Sequence, residues 1–109
     1  MIRDSDKYTY RVTWSEEDQE FIGLCAEFTS LSWLDESPEQ ALAGIRKVVQ
    51  QSIKDMKANS EDIPAPIASK HYSGKFMVRV PPEVHRKLAI AAAESGVSLN
   101  RVVSAKLAQ

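Results

Sequence analysis

The stretch Lys75-Phe76-Met77-Val78-Arg79-Val80 constrains this chain more than any other. Phe76, Val78 and Val80 alternate with Lys75, Met77 and Arg79, the period of two of a half-buried strand, and Pro81-Pro82 stops the pattern. Everything after it has helical spacing. A helix is expected from Pro82 to about Ser95, with Val84, Leu88, Ala91 and Ala92 on one stripe and Gly96 placed for the left-handed residue beyond the last turn. A second helix starts at Ser98, a good cap, and runs toward the terminus with Leu99, Val102, Val103 and Leu107 as its stripe. One strand with two short helices is too little to bury the apolar area that offsets chain entropy in a monomer. The segment must therefore dock on the rest of the chain or pair with another copy. In a pair, two strands lie antiparallel as a ribbon, Phe76, Val78, Val80, Val84, Leu88 and Val102 form a shared core, and Lys75, Met77 and Arg79 appear twice about a two-fold axis.

Charge divides the chain in the same place. Residues 1–67 carry seven Lys/Arg against thirteen Asp/Glu, a net charge of −6, whereas residues 68–109 carry seven against two, a net charge of +5. The overall charge of −1 conceals this. A basic tail is suited to a polyanion, and an acidic front to a basic partner; two unrelated solvated surfaces account for the charges equally well.

The front part reads as a meander. Tyr8, Tyr10, Val12 and Trp14 alternate with Thr9, Arg11 and Thr13 as a first strand, the polar run Ser15–Gln19 turns the chain, and Glu20–Phe28 is a second apolar strand. Leu31-Ser32-Trp33-Leu34 supplies a short third. Ser37 then caps a helix, Pro38 fits its first position, and Gln40 completes a capping box. Behind them Ala41, Leu42, Ile45, Val48, Val49, Ser52, Ile53 and Met56 recur at helical spacing, so this helix covers one face of the meander. Asn59 to Pro66 ends the pattern with polar residues and two prolines. The resulting organisation is a domain over 1–62, a linker over 63–73 and a second domain over 74–109. Ile63 to Ala68 could instead add an edge strand, where proline is tolerated.

Little here points to catalysis. No glycine-rich phosphate loop occurs, the acids crowd into turns rather than into strands, and His71 and His85 lack a cysteine or paired carboxylate at metal or nucleophile spacing. No catalytic residue, metal or cofactor is expected. Cys25 is the single cysteine, so no internal disulfide forms, and its apolar surroundings point to an inert thiol. No run approaches the roughly 18 apolar residues of a membrane span, and Met1 to Asp6 lacks the apolar core of a leader, which makes the cytoplasm the expected compartment.

Gly74–Gln109 resembles a ribbon-helix-helix DNA-binding domain of the Arc and MetJ type. The carried pattern is the alternating strand 75–80, the helix opened by Pro82-Glu83, and the turn Gly96-Val97-Ser98 before a second helix. The resemblance implies that Lys75, Met77 and Arg79 face the bases of operator DNA while Ser98, Leu99, Asn100 and Arg101 meet phosphates at a helix N-terminus. Met77 replaces the usual polar residue, leaving apolar contact with a thymine methyl there and base reading to Arg79 and Lys75. Joined to this tail, the front domain resembles the HicB family of antitoxins, whose N-terminal part is a partial RNase H-like fold. The shared features are the hairpin, the short third strand, the Ser-Pro-Glu-Gln-Ala-Leu helix start and the proline-containing linker. Family members often carry a proline and a Gly-Asp-Thr-like turn ahead of the helix, where this chain has Trp33-Leu34-Asp35-Glu36-Ser37.

The architecture so implied is α+β: a HicB-like meander with a helix, then a dimerising ribbon-helix-helix. The implied function is an antitoxin that blocks a small basic RNA-cleaving toxin of the HicA type and represses its own operon. Glu16, Glu17, Asp18 and Glu20 are candidate contacts for such a toxin. The assembly would be a homodimer through the C-terminal ribbon, or a tetramer if both domains self-associate. The alternative is a solitary regulator whose front domain oligomerises or senses a ligand.

Overall fold

The computed structural model describes residues 3–109; Met1 and Ile2, part of the amino-terminal stretch read above for a leader, lie outside the described residues. The chain is α+β and divides into two compact units, Met1–Tyr72 and Ser73–Gln109.

In the front unit, β1 (Tyr10–Ser15), β2 (Glu20–Cys25) and β3 (Ser32–Asp35) form an antiparallel meander in the order β1-β2-β3. Tyr10 pairs with Cys25 and Trp14 with Phe21 across the first hairpin, while Gly23 pairs with Trp33 and Ile22 with Leu34 across the second. The expected strands are present with shifted ends: Tyr8 and Thr9 precede β1, and the second strand stops at Cys25. Helix α1 (Pro38–Ala58) begins as its cap dictates, Ser37 Oγ accepting the Gln40 N–H at 3.1 Å with Pro38 at the first position. The reciprocal half of a capping box is absent among the described hydrogen bonds.

Helix α1 lies on one face of the sheet. Gly23 is required at the crossing, because a Cβ there would meet the Ala41 carbonyl oxygen and the Ile45 side chain. The core gathers Tyr8, Cys25, Phe28, Ile45, Val49 and Ile53, with Ile45 and Val49 fully buried. Tyr8 and Phe28 meet edge to face at 5.1 Å between ring centres. Cys25 is a free, buried thiol pushed up in pKa by its burial, as an inert core residue should be. A 3-10 turn, Asp4–Lys7, packs beside α1, where Asp6 pairs with Arg46 and the Tyr10 hydroxyl donates to the Ser5 carbonyl at 2.7 Å. Loss of water around this half-buried phenol pushes its pKa up to about 12.

The expected linker over 63–73 is only partly free. Ile63 packs on the front core, and the Tyr8 hydroxyl donates to the Pro64 carbonyl at 2.6 Å. The Glu27 carboxylate accepts the Ile67 N–H at 2.9 Å together with the Thr9 N–H at 2.9 Å and the Thr9 hydroxyl at 3.1 Å. A 3-10 turn at Ile67–Ser69 follows. The segment forms no edge strand, because side chains, rather than a sheet edge, satisfy its backbone.

In the rear unit, α2 (Pro82–Ser95) and α3 (Leu99–Leu107) form where the pattern places them. The expected strand at 75–80 does not. Those residues pair with nothing and carry no regular structure in the single chain, since a strand is held by the hydrogen bonds of a neighbour and this unit has none to offer. Among the described residues, no helix is long and apolar enough to cross a membrane.

Candidate nucleic-acid interface

The rear unit is built from local signals. Pro82 at the first position starts α2, with Glu83 in the favourable first turn. Gly96 stops it with φ +68°, a left-handed conformation that suits glycine, while the Val97 N–H returns to the Ala92 carbonyl at 3.1 Å. Ser98 Oγ then accepts the Arg101 N–H at 3.1 Å and opens α3. The N–H groups of Leu99 and Asn100, in the same first turn, make no hydrogen bond among the described ones, as the first donors of a helix have no partner within it.

Apolar side chains remain on the outside of this unit. Phe76 is 76% exposed, Met77 83%, Val78 58% and Val80 42%, and only Ala92 is buried. Val78, Val80, Leu88, Leu99 and Val103 line a groove of about 450 Å³, with Arg79 and His85 at its rim. Of the residues expected in a dimer core, the groove brings together Val78, Val80 and Leu88. Phe76 and Val84 stand exposed away from it, and Val102 is partly buried nearby on α3. Leu99 and Val103, both on the apolar stripe expected of the second helix, line the groove as well, though neither is among the residues expected in the dimer core. The signal was present: Leu99, Val103 and Leu107 repeat every four residues along α3.

Lys75, Met77 and Arg79 are all exposed, as are Ser98, Leu99, Asn100 and Arg101. Without the ribbon the first three share no strand face in the single chain. Arg86 and Lys87 flank a second hollow of about 440 Å³ with Pro82 and Glu83, adding cations at the start of α2. No three His, Cys, Asp or Glu side chains among the described residues gather as metal ligands.

Residues 58–107 match the HicB family. The match is a likeness of the carboxy-terminal part of the chain to that family. No curated protein and no solved structure matches the chain. The HicB match runs from the last residue of α1, through the docked segment and 75–80, to the last residue of α3. It therefore contains the whole groove and every candidate DNA-contacting residue, and leaves the three strands outside it.

Proposed function

We propose that this chain is an antitoxin and autorepressor, a binding protein of the cytoplasm rather than an enzyme. Residues 1–62 neutralise a HicA-like RNA-cleaving toxin, and residues 74–109 bind operator DNA as a ribbon-helix-helix homodimer. The observation that carries the reading is the row Phe76, Val78 and Val80, left in solvent beside an apolar groove within the HicB-matched span. Burying it in a second copy supplies each backbone with a strand partner and turns Lys75, Met77 and Arg79 to one face. Lys75 and Arg79 then meet guanine acceptors, Met77 meets a thymine methyl, and the free N–H groups of Leu99 and Asn100, with Ser98 and Arg101, meet phosphate. In this reading the front unit is a partial RNase H-like fold and holds the toxin.

The test is a gel-shift titration with DNA from upstream of the gene, paired with sedimentation of the free protein. A dimer that binds one site with salt-dependent affinity is expected; a monomer that binds as tightly overturns the arrangement. One observation favours a solitary regulator instead, namely that β1–β3 fall outside the family match. Operator binding by a protein that neutralises no small RNA-cleaving partner would select that alternative.

A further inference from the structure

Resting on the antitoxin reading, we infer that the toxin docks on the open face of the three-stranded sheet, where it meets an aliphatic patch beside an acidic rim. Alternation along the strands settles which residues lie there. Gly23 and its partner Trp33 are on the side of α1, so Arg11, Thr13, Glu20, Ile22, Leu24, Ser32 and Leu34 occupy the other. Within the front unit, helix α1 is the only helix packed on the sheet among the described residues, and it lies on the side of Gly23 and Trp33. Ile22 is paired directly with Leu34, Leu24 sits one step along β2, and Leu34 is 42% exposed. A sheet whose outer face only needed to be wetted would carry polar residues at these three central positions.

Charge selects the occupant. The β1–β2 turn, the start of β2 and the end of β3 come together at one end of the sheet, which places Glu16, Glu17, Asp18, Glu20, Asp35 and Glu36 around that end. The turn is ordered by its own side chains: Trp14 Nε1 donates to Glu16 at 2.8 Å, Ser15 Oγ donates to Asp18 at 2.8 Å, and Gln19 Nε2 donates to the Glu16 carbonyl at 2.8 Å. Such a rim is held in place before a partner arrives. A second copy is a poor occupant, since it brings one cation on this face, Arg11, to the six acids. A small protein with apolar residues set among Lys and Arg satisfies both halves, the rim steering it and the patch retaining it.

The experiment is calorimetric titration of the full-length chain with a purified HicA-family toxin from the same genome, with sedimentation and operator binding measured on each variant. Leu34→Glu is expected to weaken toxin binding about tenfold or more, and Thr13→Arg, at an exposed position paired with Ile22, to do the same. Glu17→Lys with Glu20→Lys should slow association and flatten its salt dependence. All should keep operator binding, and Lys54→Ala on the outer side of α1 should change nothing. Undiminished toxin binding by Leu34→Glu and Thr13→Arg overturns the surface and leaves the antitoxin reading standing. Failure of the unaltered chain to bind the toxin overturns both. A free protein that falls to a smaller assembly on Leu34→Glu reveals a face that pairs copies, which also overturns the proposal.

Discussion

The two units solve the same physical problem differently. The front one surrounds Ile45 and Val49 completely, drawing Tyr8, Cys25, Phe28 and Ile53 about them from strands, helix and loops. The rear one has comparable apolar stripes on α2 and α3 yet buries only Ala92, while Phe76 and Val78 remain mostly in water. An antiparallel meander lets every inner strand edge find a neighbour in its own chain. A lone extended segment has no such neighbour, so its pairing and its apolar face are both left for another molecule. Local sequence signals of equal clarity thus produce a finished core in one unit and an unfinished one in the other.

The contrast breaks most readily at the unfinished side. Val80→Glu should abolish both self-association and operator binding, because a charge at the centre of the shared core would be buried without a partner. Sedimentation and gel shift check this, and the near-ultraviolet signal of the front unit should survive. Next in size, Ile45→Ala should destabilise the front unit by about 2–5 kcal/mol, as a cavity in a closed core does. Chemical denaturation monitored at Trp14 and Trp33 reads it, and operator binding should respond far less. Arg79→Ala should cost about 1–3 kcal/mol on the cognate operator and little on unrelated DNA; an equal loss on both would contradict base reading.

Ser98→Ala removes the oxygen that holds the Arg101 N–H and should cost the rear unit about 1 kcal/mol. The smallest effect concerns Glu27. Burial raises its pKa, but the N–H groups of Ile67 and Thr9 outweigh that and leave it lowered. A lowered carboxylate contributes stability above the ordinary glutamate range, and that contribution is lost as pH falls through the folded value. Acid should therefore loosen residues 63–69 before the core, seen as faster amide exchange at Ile67; equal protection at neutral and acid pH would contradict the assignment.

Much of this was legible because it is local. The period of two over Tyr10–Ser15, the Ser37-Pro38 start of α1, the Gly96 stop and the Ser98 cap each act within a few residues, and each element formed near its expected bounds. The docking of residues 63–67 was not legible, because the prolines describe what the backbone avoids, whereas Glu27 and Tyr8, distant in sequence, decide where the segment rests. The strand at 75–80 is absent from the single chain for a related reason: alternation states which side chains share a face, but a strand exists only once a second backbone lies beside it, as the expected pair of copies would supply.

The sequence by itself determined the elements, their caps, the opposed charges of the two parts and the apolar stripes that must be covered, because these depend on neighbours a turn or a pleat away. Tertiary structure alone decided which face of the meander α1 covers, that Leu99 and Val103 share a groove with Val80, and that six acids meet at one end of the sheet. Those arrangements join residues far apart in the chain, and only closing the fold, with its shared burial and paired backbones, brings them within contact distance.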